Sequence, residues 1–148
     1  MRILFVVPYP PSLIRVRPYQ LIRQLSRGGH HVTVATLWTT EQERQDVEEL
    51  ENDCERVVAV HLPRARSLWN CLRALPTKKP LQAAYCLHPK LLQHIDALRP
   101  QTDIVHVEHL RGALYGLHAA DSFKSNGQRK AVIWDSVDCI SHLFEQAV

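Results

Sequence analysis

Seven consecutive residues, His106-Val107-Glu108-His109-Leu110-Arg111-Gly112, bring two imidazoles, a carboxylate and a guanidinium into one short segment. An imidazole beside a carboxylate can pass a proton near neutral pH, and with an arginine it can recognise a polar substrate. Glu108 and His109 stand nearer the end of the preceding apolar run and are the stronger candidates. His106 lies inside that run and reads as a core histidine with its ring nitrogens satisfied. Metal ligation by His106 and His109 would need a third ligand that no spacing supplies, so no metal is assigned. A second group, Arg15 and Arg17, precedes a helical pattern, where guanidinium groups beside a positive helix end suit an anion. Both arginines could equally be solvated or pair with acids further along. The third group follows another apolar run: Asp135, then Ser136, Asp138 and Ser141. A carboxylate at a strand's carboxyl end suits a hydrogen bond to a substrate hydroxyl, whereas Asp138 or Ser136 also fits the cap of a following helix. The catalytic candidates are thus Asp135, His109 and Glu108, and the substrate-binding candidates are Arg15, Arg17, Arg111 and Asp138.

Several chemistries are excluded by what is absent. No GxGxxG follows the first apolar run and no Walker A sequence occurs, so two common phosphate cradles are missing. No Gly-x-Ser-x-Gly elbow surrounds a serine, which argues against a hydrolase nucleophile. The four cysteines, Cys54, Cys71, Cys86 and Cys139, form no CxxC pair and are expected to be reduced and to fill core space. Residues 1–40 contain no acid, so a receiver-type phosphoacceptor cluster is ruled out.

The elements that must position these groups follow from hydrophobic pattern. Ile3-Leu4-Phe5-Val6-Val7 is continuously apolar, as a strand covered on both faces must be, and Pro8 halts it. Pro18 is placed to open a helix that Gly28-Gly29 ends, and His31 to Leu37 forms the next strand. An acidic helix over 41–53, a strand from Arg56 to Leu62, and a helical stretch over 64–99 broken by Pro76, Pro80 and Pro89 follow. Strands at 103–107 and 130–134 flank a helix at 110–123 and a turn at 125–127, and residues 139–147 begin a last helix. Such alternation predicts one α/β domain over residues 1–148: an open, parallel, doubly wound sheet with helices on both faces. In such sheets ligands bind beyond the carboxyl ends of the strands, which singles out residues 8–18, 37–40, 106–112 and 135–142.

Charge is segregated along the chain. The net +3 conceals five arginines without an acid in residues 1–40, −7 over 41–55, +7 over 56–99 and −2 thereafter. The acidic block reads as a solvated helix face. Basic residues interleaved with aromatics in a known module are missing, so no nucleic-acid partner is expected. Met1-Arg2 leads only into a short apolar run, and no stretch approaches the ~20 apolar residues of a spanning helix. A cytoplasmic protein is expected. Residues 64–99 combine Arg64, Arg66, Arg73, Lys78, Lys79, Lys90 and Arg99 with Leu68, Trp69, Leu72, Leu75 and Leu81, and Leu68, Leu72 and Leu75 recur at helical spacing beside Trp69. That face either packs on the sheet, the simpler expectation because Pro76 ends the helix early, or lies on an anionic bilayer surface.

Met1-Arg2-Ile3-Leu4-Phe5-Val6-Val7-Pro8-Tyr9-Pro10-Pro11 resembles the start of family 4, group 1 glycosyltransferases of the GT-B fold. So does Arg17 to Leu25 running into Gly28-Gly29-His30-His31-Val32-Thr33, and Asp103–Arg111 and Trp134–Ser141 look like the matching later strands. The likeness is to a bacterial branch that builds exopolysaccharides and other cell-surface glycans. It implies a Rossmann-like amino-terminal, acceptor-side domain of a retaining two-domain enzyme. The donor-binding half, with the family's paired glutamates, is then absent from this chain, which is expected to be inactive alone. The implied partners are a nucleotide-sugar donor, held mainly by that other half, and a glycan or lipid-linked acceptor; no cofactor is implied. Ser12-Leu13-Ile14-Arg15 stands where many relatives place a Gly-Gly pair against donor phosphate. Asp135 falls where many relatives carry a histidine that touches the transferred sugar. The alternative is a non-catalytic subunit of a split transferase that recruits a donor-binding partner.

Overall fold

The computed structural model describes residues 1–125 and 130–136. Five strands form one parallel sheet: β1 (Arg2–Val7), β2 (His31–Trp38), β3 (Arg56–His61), β4 (Ile104–Glu108) and β5 (Ala131–Asp135), in the order β3-β2-β1-β4-β5. The helices are α1 (Val16–Arg27), α2 (Glu41–Leu50), α3 (Arg64–Ala74), α4 (Leu81–Tyr85), α5 (Pro89–Leu98) and α6 (Ala113–Ser125). The fold is Rossmann-like, as the alternation of strands and helices predicts.

β1 explains the covered sheet. Leu4 and Val6 face one side and join Val105, Val107, Leu91, Ile95, Tyr115 and Phe123 beneath α5 and α6. Ile3, Phe5 and Val7 face the other and join Ile22, Val34 and Leu50 beneath α1 and α2. Successive side chains of a strand alternate between faces, so only a continuous apolar run can supply both cores. α1 ends where the sequence places its stop: Gly29 takes φ 80, a left-handed conformation open to glycine without a Cβ clash. α6 lies close on β4 because Gly112, just before it, is bare; a Cβ there would stand 2.7 Å from Val107 Cγ1.

Boundaries shift in ways that matter for the site. α1 begins at Val16, so Pro18 is its third residue, still within the first turn where no backbone donor is needed. The 64–99 stretch resolves into α3, α4 and α5. β4 and β5 each end one residue later than their patterns suggest, so Glu108 and Asp135 become terminal strand residues. The leucine face of α3 does not pack on the sheet. The helix packs chiefly on α4 and buries Ser67 and Ala74, while Leu68, Leu72 and Leu75 are 63%, 59% and 65% exposed. Cys54, Cys71 and Cys86 are free thiols. The turn at 126–127, the helix expected over 139–147, and Asp138, Cys139 and Ser141 lie outside the described residues.

Candidate functional site

The order β3-β2-β1-β4-β5 reverses direction between β1 and β4, and the carboxyl ends of those two strands open a crevice there. Tyr9 follows β1, and Glu108 and His109 close β4. Glu108 pairs in register with Asp135, so a carboxylate from each strand projects from the same face. His106, two residues back, shares that face and stacks on Phe5 with ring centroids 4.2 Å apart. It is not the satisfied core histidine the sequence suggests: its buried Nε2 lies 3.5 Å from Glu108 Oε2, and neither atom has a hydrogen-bond partner. Glu108 is only 1% exposed. A buried carboxylate oxygen without a donor is costly.

Arg17 crosses from the first turn of α1 to Asp135, with Nη2 2.6 Å from Oδ2. Arg15 follows the alternative the sequence allowed, pairing with Glu43 of the acidic helix at 2.8 Å while lying over the Tyr9 ring at 4.9 Å. Burial alone would raise the Glu43 carboxyl, but hydrogen bonds from the Thr39 hydroxyl, Arg15 and the Thr39 backbone outweigh it and hold the group below the usual range. The Tyr9 hydroxyl is raised by burial and by Glu108, against the opposing pull of Arg15, Arg111 and Arg17, so it stays a donor at neutral pH.

His109 is the one non-glycine residue with positive φ among the described residues, at φ 63 and ψ 161. Residues other than glycine hardly visit that region, and holding one there costs about 1–3 kcal/mol. Four hydrogen bonds fix it. Its N–H donates to the Asp135 carbonyl at 2.7 Å, and its own carbonyl accepts from Gly112 N–H at 3.0 Å and from Trp134 Nε1 at 3.3 Å. Its Nδ1 accepts from the Arg111 N–H at 3.3 Å. The ring meets Tyr9 edge to face, with centroids 6.3 Å apart.

These groups border a cavity of about 310 Å³ whose walls include Tyr9, Arg15, Arg17, Glu108, His109 and Arg111. A neighbouring cavity of about 400 Å³ shares Tyr9 and Arg111 but is walled mainly by Leu37, Leu62, Leu81 and Tyr85, with Thr39 and Glu43 at its polar side. The first compartment offers cations and acceptors together; the second offers apolar surface. Ligand atoms of His106, Glu108 and Asp135 all lie within 4.8 Å of one another, while His109, the partner the sequence offers for His106, is not in that group. Arg17 already fills one side of that group through its ion pair with Asp135, and Arg15 and Arg111 line the same cavity, Arg15 being held by Glu43.

The structure brings together Arg15, Arg17, Glu108, His109, Arg111 and Asp135, all named from the sequence, while Asp138 lies outside the described residues. Tyr9 and Thr39 fall within the segments 8–18 and 37–40 that the strand ends single out, without being candidates as residues, and Glu43 lies outside those segments. Residues 14–127 match the family model of the glycosyl transferase 4-like domain. The chain belongs to that family. No curated protein matches it. As a glycosyl transferase 4-like domain it calls for a sugar donor and an acceptor.

Proposed function

We propose that this domain is the acceptor-side half of a retaining glycosyltransferase that moves a sugar from a nucleotide-sugar to a glycan or lipid-linked acceptor in cell-surface polysaccharide synthesis. The observation that carries the reading is the buried, undonated Glu108 oxygen on an arginine-rimmed crevice at the β1/β4 switch point. Sugar hydroxyls donate to Asp135, whose carboxylate also accepts from Arg17, and to the Glu108 oxygen, which is otherwise costly to bury. Arg17, Arg15 and Arg111 face phosphate oxygens of the donor or of an anionic acceptor. His109, locked by its backbone bonds, holds its imidazole edge-on to the Tyr9 ring with Nδ1 accepting from the Arg111 N–H, so the neutral ring carries its proton on Nε2 and donates it as a hydrogen bond to a substrate oxygen. The donor's nucleotide is held by a second domain, so residues 1–148 alone are inactive. The protein works in the cytoplasm, peripherally at the inner membrane face; the exposed leucines of α3 support the membrane contact alone.

The test is Asp135→Ala in the two-domain enzyme. Its ion pair with Arg17 is largely open to solvent on the arginine side, 56% against 20%, so its loss should cost no more than about 1 kcal/mol of stability. Transfer should fall about 100-fold or more, the usual scale for a polar group acting on developing charge. Equal losses of activity and stability would make Asp135 a structural cap.

A further inference from the structure

Successive residues of an α-helix turn through about 100°, which orders the side chains of α3 around its axis. Leu75, Leu68, Leu72 and Trp69 follow one another over roughly a third of the circumference. These four are 65%, 63%, 59% and 60% exposed. Arg64 borders this arc on one side, and Arg73 and Arg66 border it on the other. The opposite face, with Ser67 and Ala74, is the buried one. α3 therefore carries an outward apolar stripe between two basic margins, the inverse of a helix whose leucines build a core.

The margin formed by Arg66 and Arg73 opens into a groove of about 720 Å³ between α3 and the α5–α6 layer, whose walls include Arg66, Trp69, Asn70, Arg73, Lys79 and Leu92. Its bases are uncompensated. No acid occurs between Glu55 and Asp96, and among the described residues no carboxylate pairs with Arg66, Arg73 or Lys79. By contrast Arg15, Arg17, Arg23 and Arg44 are each held by a carboxylate. The same field reaches His88 behind the groove, whose imidazole is depressed by burial first and then by Arg66 and Lys90.

We propose that α3 lies in the surface of an anionic bilayer and that the groove beside it receives the phosphodiester headgroup of one anionic phospholipid. Leu68, Leu72 and Leu75 enter the acyl boundary, Trp69 sits at the headgroup level, and Arg66, Arg73 and Lys79 converge on the phosphate. A phosphate free in solution would use the bases and leave the stripe bare; a lipid uses both. Cys71 and Leu81 of the same segment wall the apolar cavity of the site, so docking ties that cavity to the membrane-bound segment. This deepens the membrane reading above and rests on it, and is independent of glycosyl transfer.

The experiment is co-sedimentation with vesicles of phosphatidylcholine alone or with one-quarter phosphatidylglycerol, at ~10 mM salt where the Debye length is about 30 Å. Neither donor nor acceptor is present, so failure here leaves the transferase reading standing. The chain should bind only the anionic vesicles, and 10 mM inorganic phosphate should not release it. Arg66→Gln/Arg73→Gln should weaken binding about 30-fold, the product of two bases each worth about a factor of five at a surface. Leu68→Ser/Leu72→Ser should abolish it. Arg27→Gln/Arg56→Gln removes the same charge at the far end of the sheet and should cost less than about 3-fold. These variants change exposed side chains, and circular dichroism establishes that each remains folded. Equal losses from the two arginine pairs would overturn the headgroup site while leaving general membrane attraction, and release by phosphate would make the groove a site for free phosphate and overturn the lipid as its occupant. No binding to either vesicle, or binding indifferent to the leucines, would overturn membrane docking itself.

Discussion

The backbone of His109 permits a test in which glycine should outperform alanine. At φ 63 and ψ 161 the residue occupies a region that only glycine enters freely. Replacing it with alanine keeps the strain and removes the Nδ1 acceptor of the Arg111 N–H, a solvent-exposed bond 3.3 Å long, at about 0.7 kcal/mol. Replacing it with glycine loses the same acceptor and about 0.7 kcal/mol of backbone entropy, but recovers about 2 kcal/mol of strain. Glycine should therefore lie about 0.6 kcal/mol above the native protein and about 1.3 kcal/mol above alanine. At an ordinary site the order is reversed, alanine exceeding glycine by roughly 0.5–1 kcal/mol. For a chain of this length 1.3 kcal/mol corresponds to about 3–5 °C in Tm, readily resolved by thermal or urea unfolding. Both variants lose the imidazole, so transfer by the two-domain enzyme should fall in each despite their opposite stabilities. An alanine variant as stable as the glycine variant would refute the strain, and with it the view that stability is given up at this position to hold the ring.

Two further outcomes are expected. Tyr115, fully buried, donates to the Cys86 carbonyl at 2.7 Å and accepts from the His88 N–H at 2.8 Å; Tyr115→Phe strands both backbone groups and should cost about 2–4 kcal/mol in urea unfolding. The His88 ring accepts from the Lys90 N–H at 3.2 Å to cap α5, and burial followed by Arg66, Lys90 and His61 keeps its folded value below the ordinary 6.5. As pH falls the unfolded chain takes up this proton first, so the contribution is whole above about pH 6.5 and is lost as pH drops through the lower folded value. His88→Asn retains a capping acceptor and should flatten the fall in unfolding midpoint between pH 7.5 and 5.5; an unchanged slope would remove His88 as its source.

The strand ends and the groups on them were legible in the sequence because both signals are local. A continuous apolar run halted at Pro8 fixes β1 as a doubly covered strand, and the loops that follow such strands are where an open sheet binds ligands. Glu108, His109 and Asp135 could thus be named before any contact was known. Which of them meet was a tertiary decision. Asp135 stands beside Glu108 because β4 and β5 pair in that register, and Arg17 reaches Asp135 across 118 residues because β1 lies next to β4. Arg15 could have been solvated until the approach of α2 gave it Glu43. The strain at His109 has no signature in residue type; it arises from hydrogen bonds that a neighbouring strand and turn impose. For α3 the leucine spacing revealed an apolar face, but periodicity records only that a face exists. Whether it meets a sheet or solvent depends on which side of the helix its neighbours occupy, and here α4 takes the side of Ser67 and Ala74.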